Sequence, residues 1–448
     1  AAEISSMTAE QRFGADSRWG FFPSVAVGWR ISEEPFFPKN SVISNLKFRA
    51  SWGQLGNENA LGKYDFLARI SSYNDMYMGY VQGAGSNPWT GSIARALENR
   101  SLKWETTDTK NIGFDFGLFG NHLNGNINYY INETRDLLIT RRIAPSAGLD
   151  NPTLNVGKMR NQGFELELNW NDKINDFEYN VGFNISTIAN KVVALANEDQ
   201  TIYGVGLKYG TEHFPTQTKV GKPIGAFYLY QADGIFQSLE EVQAHKNSKG
   251  ELLQPNAQPG DVRFKDMNGD GVIDEDDKTY SGTGIAKVEA NLNLGASYKG
   301  FDFSAVIGSA FGNKLYNGIR YYYEGMNSGS NFLKTTLNAW TPTNTKTDIP
   351  RAVFGDPNQN TRESTRFLEN GDFVRLRQVQ LGYTLPKALS KHIYCESIRF
   401  YVSAENVFTI TGYSGANPEF SQGVLNSGID RFTYPFSRSY TVGAQVSF

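Results

Sequence analysis

The residues best suited to chemistry lie in one stretch, Asp266-Met-Asn-Gly-Asp-Gly-Val-Ile-Asp-Glu-Asp-Asp277, which sets an acid or amide at alternate positions and then a glycine. Counted as a calcium loop, Asp266, Asn268 and Asp270 take positions 1, 3 and 5, Gly271 the sharp turn at 6, and the Val272 carbonyl position 7. Asp274 falls at 9, and Asp277 at 12, where the usual loop carries a bidentate Glu. A cation of this size takes about six to eight oxygens, and the spacing turns hard donors inward around one bend. The stretch is therefore expected to bind Ca2+ through Asp266, Asn268, Asp270, Val272 and Asp277, with Asp274 direct or through water. The other reading is an acidic turn whose Asx side chains cap their own backbone. An extended Gly260–Lys265 upstream and a turn-rich Thr279–Gly284 downstream supply no helix pair to open on binding, which argues against a sensor.

Other chemistry is sparse. His122, His213, His245 and His392 show no metal-ligand spacing, and neither a nucleophile elbow nor a phosphate loop at a strand-to-helix junction is present, so no enzyme is expected. Cys395 stands alone and permits no internal disulfide. Tyr321, Tyr322, Tyr323 and Trp340 could stack on sugar rings or grip a partner, and could equally pack loops together. A net charge of -3 offers no basic field for nucleic acid.

Length and composition constrain the elements around these residues. At 448 residues without a linker the chain suits a closed sheet, and 45 Gly, 23 Tyr and 30 Phe suit strands joined by turns. No run approaches the ~18 apolar residues of a membrane helix. Mean hydropathy is -0.44, a value a membrane barrel also reaches, since its strands alternate lipid-facing and lumen-facing residues.

That alternation is present. Ile112, Phe114, Phe116 and Leu118 share one face against Asn111, Gly113, Asp115 and Gly117, and Phe164, Leu166, Leu168 and Trp170 do the same against Glu165, Glu167 and Asn169. About thirteen strands are predicted, near 19–31, 46–56, 103–119, 122–133, 162–171, 177–188, 211–220, 223–236, 286–298, 301–312, 370–385, 397–409 and 437–448. Tight turns at Gly120-Asn121, Asn171–Asn175, Gly221-Lys222 and Lys299-Gly300 alternate with long connections over 57–102, 134–161, 237–285, 313–369 and 410–436. A sandwich has no reason to sort its loops in this way, whereas a transmembrane barrel has short periplasmic turns and long extracellular loops. The fold expected is all-β, a transmembrane antiparallel β-barrel over 1–448, with the calcium loop in an extracellular connection at 237–285.

With that pattern established, the chain resembles the SusC-like (SusC/RagA-type) TonB-dependent outer-membrane transporters of the Bacteroidota. The phrases that carry the resemblance include Arg18-Trp-Gly-Phe-Phe-Pro-Ser24, Asn111-Ile-Gly-Phe-Asp-Phe116, Asn161-Gln-Gly-Phe-Glu165, Gly260-Asp-Val-Arg-Phe-Lys-Asp-Met-Asn-Gly-Asp-Gly271, Phe373-Val-Arg-Leu-Arg377, Leu381-Gly-Tyr-Thr-Leu-Pro386, Ala404-Glu-Asn-Val-Phe408 and Tyr434-Pro-Phe-Ser-Arg438. The resemblance implies the C-terminal part of a barrel of roughly 22 strands around a plug. An odd strand count would start the chain in an extracellular loop. It further implies an outer-membrane location and active import of glycans or peptides. The implied partners are a SusD-like surface lipoprotein, the TonB-ExbB-ExbD machinery acting through an N-terminal part, the remaining strands and plug, and outer-membrane lipid. The alternative is a surface binding or scaffold barrel that does not transport.

Overall fold

The computed structural model describes residues 2–448 apart from 39–41, 69, 74–90, 142, 196–200, 210, 328–330, 393 and 421. Its main feature is one antiparallel sheet of thirteen strands whose spatial order follows the chain. Twelve stand in line: Ala2–Ala9, Trp19–Arg30, Ile43–Asn57, Glu105–Leu118, Leu123–Arg135, Gly157–Ile174, Phe177–Thr187, Val288–Tyr298, Phe301–Phe311, Phe373–Thr384, Ser397–Thr411 and Ser439–Ser447. The thirteenth, Ala189–Leu195, continues past a break at Ile188 and pairs again with Gly157–Gln162.

The wall's two faces are chemically opposite. Outward, Ile112, Phe114, Phe164, Val181, Phe303, Leu381 and Val402 are exposed to lipid in a continuous apolar band. Inward, Arg49 donates to Asp115 (2.8 Å) and Asn128 (2.9 Å), Asn126 and Asn169 both donate to Glu167 (2.8 and 2.9 Å), and Arg399 binds Asp302 (2.8 Å). A single row of cross-strand partners, Phe177, Tyr298, Phe301, Tyr383 and Phe400, crosses five strands near their short turns. That is the aromatic girdle of a membrane barrel, where amphipathic rings sit at the interface.

Connections sort by end. The connections after Arg30, Leu118, Ile174, Tyr298 and Thr384 leave from one end of the wall; the described residues of those after Ala9, Asn57, Arg135, Leu195, Phe311 and Thr411 crowd the other. The segments at this second end, long except for the nine residues 10–18, are not separate loops. Leu207, Phe227 and Leu229 of one, Tyr316, Tyr321 and Phe367 of the next, and Ile429 of the last form one buried core. Phe13, Leu61, Leu102 and Leu138 join the first three in another. Burial of this much apolar surface supplies the order that long loops otherwise lack.

The sheet counts thirteen strands as expected, but only because Ala189–Leu195 continues Phe177–Thr187; twelve stand in line, and their membership differs. Residues 211–220 and 223–236 do not form a wall hairpin turning at Gly221-Lys222. They break into Thr211–His213, Thr216–Thr218, Ala226–Leu229 and Ala232–Ile235, which belong to small sheets of the loop body. The reason is burial: Thr216, Gln217 and Thr218 are all buried, as are Ala226, Phe227 and Leu229, whereas a wall strand must give one face to lipid. Conversely Ala2–Ala9 pairs with Trp19–Arg30, so these residues lie in the wall and the odd-number argument fails with them.

Candidate functional site

The Asp266–Asp277 loop leaves the Val262–Phe264 strand and ends in a 3-10 turn at Glu275–Asp277. Asp266 accepts from the N–H groups of Gly269 (2.6 Å) and Gly271 (2.9 Å), Asn268 from Asp270 (2.9 Å), and Asp270 from Val272 (2.9 Å). Gly271 sits at φ +93, a conformation that disfavours a Cβ, with Asn247 lying where that Cβ would go. Asp277 is wholly buried and ties the loop's two ends, accepting from Met267 (2.6 Å) and Asn268 (3.3 Å) on one oxygen and Asp274 (2.9 Å) on the other. Asp274 caps the closing turn through Asp276. Asp266, Asn268, Asp270 and Asp277 thus surround one bend and cap its backbone. Among the described residues no three His, Cys, Asp or Glu side chains form a metal cluster. A carboxylate oxygen keeps a second lone pair after accepting one N–H, so this donor set of carboxylates, an amide and a carbonyl retains capacity for a hard cation.

The upstream phrase Gly260-Asp-Val-Arg-Phe264 is held by a second excursion. Asp261 receives both arms of Arg351 (2.8 and 3.1 Å) and the Asn360 amide (2.9 Å). The Val262 N–H goes to Asn360 (2.8 Å) and its carbonyl to Gln254 and Asn358. Gly260, at φ +92, lies against the Trp340 ring, where a Cβ would collide.

The aromatic candidates fall in different places. Tyr321 has no exposed surface and packs with Tyr316 and Phe367 (6.3 and 5.6 Å between centroids). Trp340 is buried on Gly260 and donates to Gln237 (2.9 Å). Both hold loops together, so neither presents a ring to a ligand. Tyr322 and Tyr323 are half-buried around exposed Phe432 (5.6 Å each).

Sequence reasoning missed a buried ionic group below the loop. Glu363 is bound by Lys278 (2.5 Å) and by His213, which joins three parts of the loop body. Burial alone would raise its pKa, but the His213 hydrogen bond and the Lys278 charge prevail and lower it to about 2. Beside it lies a cavity of about 970 Å³, bounded by Tyr203, Glu212, Tyr230, Glu275 and Arg362. Its signal was the polar run Asn358-Gln-Asn-Thr-Arg-Glu363, read only as part of a long connection.

A lipid-facing band, an amide-rich inner wall and loops gathered at one rim define an outer-membrane barrel wall. Residues 4–407 match the family described as TonB dependent receptor-like, beta-barrel, and the chain belongs to that family, whose members are receptors and transporters and not enzymes. It is 30% identical to the TonB-dependent receptor P3 of Formosa agariphila, over 97% of this chain and 42% of that protein. To the TonB-dependent receptor SusC of Bacteroides thetaiotaomicron it is 29% identical, over 98% and 41%. The RagAB peptide importer in its closed-closed state superposes with a TM-score of 0.79 at 25% identity, over 100% of this chain and 45% of that one. The chain thus spans less than half the length of the relatives it matches. Their names carry the SusC/RagA resemblance, and the described residues form part of a barrel wall, with no plug among them.

Proposed function

We propose that this chain supplies the C-terminal wall and loop rim of an importer carrying glycans or peptides across the outer membrane, with a SusD-like lipoprotein over the rim and energy delivered through TonB, ExbB and ExbD. The observation that carries the reading is the union of the long connections into one packed body above a polar inner wall. A rim built this way is stiff enough to hold a partner and a captured ligand, which separate loops would not be. Likeness to SusC and to a RagAB peptide importer supports the substrate range. The test is uptake of labelled oligosaccharides and peptides by cells carrying the whole transporter. Accumulation should vanish without TonB and fall without the lipoprotein. Surface binding with no TonB-dependent uptake would instead favour the scaffold barrel.

Within the rim, the Asp266–Asp277 loop is proposed to take one Ca2+ on the extracellular side. Asp266, Asn268, Asp270, the Val272 carbonyl and Asp277 would hold it, with Asp274 direct or through water. The ion would neutralise the acids and pin the backbone, and affinities as weak as about 10⁻⁴–10⁻³ M suffice in extracellular surroundings.

A further inference from the structure

Arg362 lines the cavity beside the calcium loop, and its partners do not balance its charge. Among the described residues its hydrogen bonds go to backbone carbonyls, Gln359 through Nε (3.3 Å) and Asn358 through a terminal nitrogen (3.3 Å). Its guanidinium lies over the rings of Tyr230 (5.0 Å) and Phe264 (4.5 Å), which fixes its plane. Of the acids nearby, Glu212 and Glu275 also line the cavity, Glu275 paired with Lys278 (2.6 Å), and the others are committed elsewhere. Glu363 holds Lys278 and His213, Asp356 takes the N–H groups of Asn360 (2.7 Å) and Thr361 (2.9 Å) and the Thr361 hydroxyl, and Asp277 serves the calcium loop. Burial holds the guanidinium below the usual arginine range. A half-buried cation with no carboxylate in hydrogen-bond reach among the described residues, laid flat on two rings at the wall of a roomy cavity, can receive an anion.

We propose that this cavity receives a carboxylate of the ligand on Arg362, so the captured molecule is a free-acid peptide or a uronic-acid oligosaccharide. Exposed Tyr203, tilted against Phe214 (5.5 Å between centroids, 49° between planes), offers an apolar surface in the same cavity to the rest of the ligand. The inference deepens the import reading by naming a chemical group for the substrate, and it is tested by binding alone.

The complete transporter with its lipoprotein is immobilised and offered a tryptic digest of casein and, separately, an oligogalacturonate ladder, each as free acid and as full methyl ester. The favoured ligand class should be retained about tenfold better as the acid, the difference a charge-assisted fork makes over a neutral acceptor. Arg362→Met keeps the stem over both rings and should bring the acid down to the level of the ester, with thermal stability unchanged; Arg362→Lys should restore part of the preference. Which arm responds identifies peptide or uronate. Equal retention of acid and ester in both arms overturns the proposal, and so does an Arg362→Met variant that keeps the preference. The ester comparison needs no variant, so it decides even if Arg362→Met fails to fold. An intact acid preference in a transporter that does not import would sink the import reading and leave this site standing.

Discussion

Adjacent residues in a wall strand face different solvents, and substitution tests the assignment directly. Phe114 faces lipid, while Asp115 sits against Arg49 and Lys47 on the inner wall. Phe114→Arg should cost about 2–4 kcal/mol near the bilayer midplane, and barrel assembly, followed by heat-modifiable gel mobility, should fail. Asp115→Asn should assemble. Asp115→Arg is the poorer control, because it would set a third cation beside two. Glu363 gives a residue-scale prediction in the loop body. Its depressed pKa contributes stability that is complete above the ordinary value of 4.5 and fades as pH falls toward about 2. Amide protection over 226–235, measured against the intrinsic exchange rate at each pH, should hold from neutral pH to about 4.5 and fall below it. Glu363→Gln should remove that step and lower protection at neutral pH, since breaking a buried pair typically costs about 3–5 kcal/mol. An unchanged acid profile in the variant would assign the step to other carboxylates.

At the scale of elements, what could be read from the chain depended on solvent contrast. Phe177–Thr187 and Ser397–Thr411 announced themselves because lipid and lumen demand opposite side chains at alternate positions. Thr216–Thr218 is buried throughout and Ala226–Leu229 at all but Tyr228, so their β-rich composition looked like wall when they belong to the loop body. Ala2–Ala9 was missed because its small and hydroxyl residues carry little contrast; its pairing partner identifies it. The aromatic row from Phe177 to Phe400 adds one ring per strand and shows only once register is known. The alternating acids of Asp266–Asp277 were legible as a candidate cation loop, whereas the use of Asp277 as a tie between the loop's ends was not. This gives a paired prediction. Asp277→Ala removes acceptors that serve Met267, Asn268 and Asp274, so it should raise protease cutting in the loop with or without calcium. Asp270→Ala should abolish the protection that added calcium gives and leave the calcium-free rate nearly unchanged. If chelation changes cutting of the wild type not at all, the cation proposal fails.

For the whole molecule, the open sheet and its sorted connections fix an orientation relative to the membrane. Among the described residues, Ala2–Ala9 and Ser439–Ser447 each pair on one side only, and Met7 and Val442 stand exposed at these edges. Lipid does not tolerate unpaired backbone, so these edges belong inside a closed barrel. In that barrel the short turns share one face of the membrane and the packed loop body the other. Membrane-impermeant thiol labelling of single cysteines in the complete transporter tests this in whole cells, with Cys395 replaced by Ser. Phe354 and Gly423, both exposed on the long-loop side, should label from outside, while Asn121 and Lys299 should label only after the outer membrane is opened. Asp356 would be a poor probe on the same loop, because its carboxylate is buried against the backbone of Asn360 and Thr361. Labelling of both sets from outside would contradict a membrane-spanning wall, and a reversed pattern would put the Asp266–Asp277 loop and the Arg362 cavity in the periplasm, where neither could meet a ligand before transport.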